Sequence, residues 1–100
     1  MKKRLTGTNG MFECLDFPAV DRKLNAYYAG FQPVAPAKVQ RHQHSGIEFL
    51  FVTSGRLGLR IGEAEHSPEK GDSIYFDSNL PHSYRRMGNS PCAAVVVTVP

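Results

Sequence analysis

Cysteine, histidine and long apolar runs are all scarce in these 100 residues. The two cysteines, Cys14 and Cys92, form no CxxC pair and no dense framework, which argues against a secreted disulfide scaffold. Both read as reduced packing residues of a cytoplasmic protein, with a disulfide between the first and last strands as the alternative. No apolar run approaches the roughly 18 residues that a membrane helix needs. Met1-Lys2-Lys3-Arg4 opens like a signal peptide, but the apolar core that must follow is missing. There is no GxSxG elbow, no phosphate-cradling glycine loop, no glycosylation sequon and no lipidation motif. No helix-turn-helix pattern is present, and no stretch from Phe12 onward keeps helical spacing.

What is present is an ordinary globular composition, 41% hydrophobic and 21% charged. The length suits a single domain, which at this size hides roughly 60–70% of its unfolded surface. The net charge of +3 is partly local to Lys2, Lys3 and Arg4. Three charges at a chain end make a solvated terminus, not a base-reading surface. Residues 1–10 are therefore expected to form a flexible N-terminal segment, and residues 11–100 the single domain.

Short apolar or alternating runs, cut by Gly, Pro, Asn and Asp, give an all-β pattern. The expected strands are Phe12–Phe17, Leu24–Phe31, Glu48–Thr53, Leu57–Ile61, Ala64–Ser67, Ser73–Phe76, Ser83–Arg86 and Ala93–Val99. The proline-bearing stretch Gln32–Ala37 interrupts them. Eight or so strands with hairpin-like connections imply an antiparallel sandwich or barrel.

One constellation carries chemistry. His42 and His44 are two apart, so in a strand both rings point to one side. Glu48 follows the Ser45-Gly46 turn on the same parity as Leu50 and Val52. A carboxylate on an inward face is costly unless it is paired or bound to metal. His82 comes later, on the parity of Tyr84 and Arg86. With only four histidines in the chain, three at strand-compatible positions beside a glutamate stand out. The set suits one divalent ion of Fe, Mn, Ni, Co, Zn or Cu, and includes the two-histidine, one-carboxylate subset. His66, between charged residues, reads as exposed and without function.

The run His42-Gln-His44-Ser-Gly-Ile-Glu48, followed by six residues and then Gly55, resembles the first motif of the cupin family. The run Gly71-Asp72-Ser73-Ile74-Tyr75-Phe76, reaching Pro81-His82, resembles the second. The resemblance covers Leu24 to Val99 and implies a small antiparallel jelly-roll barrel with a metal inside its mouth. It maps His42, His44, Glu48 and His82 onto the family's ligands. Pro36, Asp77, Asn79 and Arg86 depart from the usual pattern, and none of them removes a ligand. The wording GIEFLFVTSGRLGLRIG, GDSIYFDSNLPHSY and VVVTVP is similar to the C-terminal cupin domain of Xre-type helix-turn-helix regulators. That resemblance implies a small-molecule-sensing, dimerising domain whose DNA-binding half lies elsewhere, so no direct DNA contact is expected from this chain.

Parity assigns Leu50, Val52, Ile74, Phe76, Tyr84 and Arg86 to a mostly apolar ligand chamber beside the metal. Arg86 would grip a ligand carboxylate or phosphate with its planar fork, or else end the strand in solvent. Tyr75, Phe49 and Phe51 have the opposite parity and belong to packing or to a dimer interface. Two functions follow, beside a third reading as a metal-free cupin held by its core alone. One is a sensing domain with a small-molecule ligand and a second copy as partners. The other is a small metal-dependent dioxygenase or isomerase, for which Tyr84 is the sole same-chamber candidate for acid–base work.

Overall fold

The computed structural model of the chain describes residues 3–7, 10–14, 24–35 and 38–100, the first two ranges by backbone alone. Pro36 and the side chain of Cys14 lie outside the described residues. Strands β1 (Lys3–Gly7), β2 (Gly10–Cys14), β3 (Asn25–Phe31), β4 (Ile47–Ser54), β5 (Arg56–Ile61), β6 (Ala64–His66), β7 (Ser73–Asp77), β8 (His82–Met87) and β9 (Cys92–Val99) make up the fold. The described residues contain no helix long and apolar enough to cross a membrane.

Sequence patterning explains the strands that build the core. In β4, Glu48, Leu50 and Val52 are buried, while Ile47, Phe49 and Phe51 face outward, the period-2 signature of a strand with one covered face. In β5, Leu57 and Leu59 alternate inward in the same way. The larger sheet runs β1-β2-β3-β9-β4-β7 and the smaller β6-β5-β8. Every neighbouring pair is antiparallel. The last strand, β9, lies between β3 and β4, so the chain end completes the sheet.

The core forms between the two sheets. Ala29, Phe31, Leu50, Val52, Phe76, Ala94 and Val96 of the larger meet Leu57, Leu59 and Tyr84 of the smaller. Full burial of each leucine contributes about 1.5–3 kcal/mol. Among the described residues the two ladders do not merge into one closed sheet. The β6–β7 loop laces them instead: Leu57 N–H donates to Pro68 O at 2.9 Å, and Gly71 N–H to Val52 O at 2.8 Å.

Two sequence expectations differ from this architecture. Lys3–Gly7, expected within a flexible segment, forms a strand paired with β2, Gly7 opposite Gly10. Backbone pairing needs no apolar alternation, and KRLTG has none to read. The strand expected at Phe12–Phe17 is observed at Gly10–Cys14, with residues 15–17 outside the described ones. Cys92 is a free, buried thiol, and burial raises its pKa.

Candidate metal centre

The Ser45-Gly46 turn sets the start of β4. Gly46 has a φ of 99°, and a Cβ there would lie 1.9 Å from the carbonyl oxygen of Val99. Only glycine allows the turn to sit against the end of β9. Glu48 is thereby fixed between Thr98 of β9 and Phe76 of β7, on the inner face and 2% exposed.

The histidines arrive from two other segments. His82 opens β8 and is fully buried. Its backbone exchanges a pair of hydrogen bonds with His42, at 2.7 and 2.9 Å. His42 and His44 sit at strand-compatible spacing, and of the two only His42 pairs, as an isolated bridge to His82. His44 N–H donates to Ser78 O at 3.0 Å, and Ser78 N–H to Gly46 O at 2.9 Å. These bonds dock the His42–Gly46 segment onto the turn before β8.

The three side chains then meet. Nε2 of His44 and Nε2 of His82 each lie 3.6 Å from Oε1 of Glu48. The ligand atoms of His44, Glu48 and His82 all fall within 4.8 Å of one another. Nδ1 of His82 is 2.8 Å from Leu80 O, and Nδ1 of His44 is 3.1 Å from Ser45 O. A carbonyl only accepts, so in the neutral rings Nδ1 carries the proton and Nε2 a lone pair. Nε2 of His82 is buried and has no hydrogen-bond partner. Two lone pairs and a carboxylate oxygen facing one point repel one another unless a cation sits between them. An orphaned buried acceptor normally demands such an explanation. The donors present thus fit a divalent ion in the two-histidine, one-carboxylate manner.

Tyr84 supports the carboxylate by donating its hydroxyl to the other oxygen, Oε2 of Glu48. Burial raises the pKa of Glu48, against the opposing effects of that hydrogen bond and of His82 and His44. Tyr84 is shifted far upward, first by burial and then by the charge of Glu48. His42 is shifted down by burial, His82 and His44.

A cavity of about 250 Å³ opens over these groups, lined by Tyr27, His42, His44, Glu48, His82, Tyr84, Val96 and Thr98. His42 stands on its wall, its ring centroid 6.1 Å from that of His82 and 5.9 Å from that of Tyr84. It is outside the three-residue cluster. Of the six side chains that parity assigned to a ligand chamber, Tyr84 lines this cavity. Leu50 and Val52 are wholly buried in the core, and Ile74 packs against it. Phe76 is buried with its ring edge-on to His82, centroids 5.1 Å apart, so it braces the histidine. Arg86 is half-buried opposite Leu57, with Nε buried and unpartnered. Tyr27, Val96 and Thr98 were missed. They reach the cavity through register, Leu50 and Tyr27 both pairing with Val96 and Glu48 with Thr98, which no local pattern encodes.

Two facing antiparallel sheets, with two histidines and a carboxylate converging in the mouth, define a small jelly-roll β-domain with a candidate metal centre. The chain belongs to the cupin family: residues 30–98 match the Cupin_2 model, a cupin domain. No curated protein matches it in sequence. Among solved structures it is similar to FeII HppE, with a TM-score of 0.83 and 20% identity over 99% of this chain and 56% of that one. Hydroxypropylphosphonic acid epoxidase from S. wedmorenis gives 0.79 and 19%, over 99% and 55%. The Cupin_2 domain of an XRE family transcriptional regulator from Enterobacter cloacae gives 0.76 and 20%, over 89% and 94%. The chain thus spans little more than half the length of the epoxidase structures. At these identities the likeness speaks for the fold.

Proposed function

We propose that this chain is a metal-binding cupin domain that takes a small-molecule effector beside the ion, as the cytoplasmic sensing and dimerising part of a transcriptional regulator. The observation that carries it is the convergence of Nε2 of His44, Nε2 of His82 and Oε1 of Glu48 under an open cavity. His42, on the cavity wall, completes the set as a fourth ligand. A bound divalent ion supplies a Lewis-acidic centre with positions open to a small molecule. Around it the protein's own groups orient and exclude: Tyr84 holds Glu48 by one oxygen, and Tyr27 and Val96 present apolar walls. The regulator reading is supported by the XRE cupin domain, nearly all of which this chain matches in fold. Its partners are then the effector and a second copy of the chain, with DNA contact left to another domain.

A second reading, a small metal-dependent oxygenase or isomerase, is favoured by the likeness to the FeII enzyme. Tyr84 is a poor general base for it, because burial and Glu48 hold its proton firmly. The test is to load the chain with Fe(II) or Zn(II) and follow melting temperature and dioxygen uptake with a panel of small carboxylic acids and sugars. A metal-dependent rise in melting temperature without uptake or product supports sensing. Turnover assigns the enzyme, and no response to any compound in any metal form overturns effector binding.

A further inference from the structure

The outer face of the smaller sheet carries a second cavity, of about 160 Å³, that shares no residue with the one over Glu48. Its walls follow from register. The His42–His82 bridge is antiparallel, so Arg41 runs alongside Ser83, on the side away from the metal cluster. Ser83 in turn faces Arg60 of β5, and Arg60 faces Glu65 of β6. Arg85 stands two residues beyond Ser83 on the same side, opposite Gly58. Gly58 leaves the centre open: a Cβ there would lie 3.0 Å from Sδ of Met87 and 3.1 Å from Cγ of Arg85. Three guanidinium groups thus line one hollow, together with Ser83, which is only 5% exposed.

Partners within the protein do not use up this donor set. Arg60 gives one nitrogen to Glu63 and Arg85 one to Glu65, both at 3.0 Å. Arg41 gives one to the carbonyl of Gly62 and meets no carboxylate among the described residues. The Ser83 hydroxyl bonds to no other described residue, although Ser83 is buried. A guanidinium carries five N–H donors, and exposed ion pairs hold their carboxylates weakly. One cation in excess and one buried hydroxyl without a partner call for an anion from outside.

We propose that this hollow binds a phosphate group, either free or borne by a small molecule. Guanidinium meets phosphate oxygens through two parallel N–H bonds. A tetrahedral group offers oxygens in several directions, where a planar carboxylate offers one edge. Arg41, Arg60 and Arg85 come from three different segments and reach the group from separate sides, and Ser83 donates its hydroxyl. The site lies on the opposite side of the sheet from His44, Glu48 and His82 and needs no metal.

The test is an NMR titration of the isotope-labelled full chain with inorganic phosphate at fixed ionic strength, with and without Zn(II). Saturable shifts are expected at the amides of Arg41, Ser83 and Arg85 in both forms. Arg41→Gln and Arg60→Gln should each weaken binding at least about tenfold, as loss of a charge-assisted bond does. Arg56→Gln, on the same outer face but outside the hollow, leaves it unchanged. Arg41 and Arg60 are exposed, so both substitutions keep the fold, which the same spectra check. Tighter binding of glycerol 3-phosphate than of inorganic phosphate assigns a phosphomonoester, and equal or weaker binding assigns the free ion. Shifts that never saturate, that acetate reproduces at equal concentration, that need Zn(II), or that survive Arg41→Gln undiminished overturn the proposal.

Discussion

Tyr84 and Glu48, on strands of opposite sheets, share one buried hydrogen bond that divides the carboxylate's labour. Oε2 accepts from the tyrosine hydroxyl, while Oε1 faces His44 and His82. Tyr84→Phe deletes that donor and keeps the ring. A buried acceptor left without its partner costs about 1–3 kcal/mol, and loss of an outer support typically weakens metal binding about 10- to 100-fold. Urea unfolding and a metal titration of Tyr84→Phe measure the two losses. Unchanged affinity would show that Glu48 needs no such support.

Acidity gives a second expectation. In the metal-free chain Glu48 has a raised pKa, so the folded state holds its proton more tightly than the unfolded state does. That contribution is complete below pH 4.5, the ordinary value, and is lost as pH rises through the raised one. His42 works in the opposite sense: its lowered pKa stabilises the fold above pH 6.5, and this is lost as pH falls through the lowered value. Ligation needs Glu48 deprotonated. Unfolding followed over pH with a chelator should therefore show stability declining as Glu48 ionises. With metal present, the ion's stabilising effect should grow over the same range.

Two glycines with positive φ separate backbone strain from steric exclusion. At Gly62, φ 58°, nothing lies within 4 Å of an added Cβ. Gly62→Ala should cost only about 1–2 kcal/mol for the left-handed conformation. At Gly46 the added atom would fall 1.9 Å from Val99 O. Gly46→Ala must move the end of β9 or the turn that places His44 and Glu48. Loss of metal binding and a far larger drop in melting temperature are expected for it, and equal effects of the two substitutions would contradict the packing described.

The strands that alternate cleanly were the legible ones. Glu48–Thr53 lies within the observed Ile47–Ser54, and Leu57–Ile61 within Arg56–Ile61. Parity placed Leu50 and Val52 inward and Phe49 and Phe51 outward, as observed. The convergence of His44, Glu48 and His82 could be anticipated because a carboxylate on an inward face needs a partner. Three things could not be read locally. β1 has no apolar period. The wall of Tyr27, Val96 and Thr98 depends on which strands become neighbours. The short His42–His44 segment takes its shape from the turn at Ser78, not from a ladder of its own.

His42 and His66 differ in kind. His42 stands on the cavity wall, while His66 ends the exposed strand β6. His42→Ala should weaken metal binding without abolishing it, whereas His66→Ala should leave the binding isotherm unchanged. Equal effects would remove His42 from the site.

The most direct measurement is elemental analysis of the chain purified without an affinity tag, compared with His82→Ala. About one equivalent of a divalent transition metal in the parent chain, absent from a folded His82→Ala, is the expected result. A parent chain that neither carries nor takes up such an ion, or a variant that binds it as well as the parent, would contradict the metal centre.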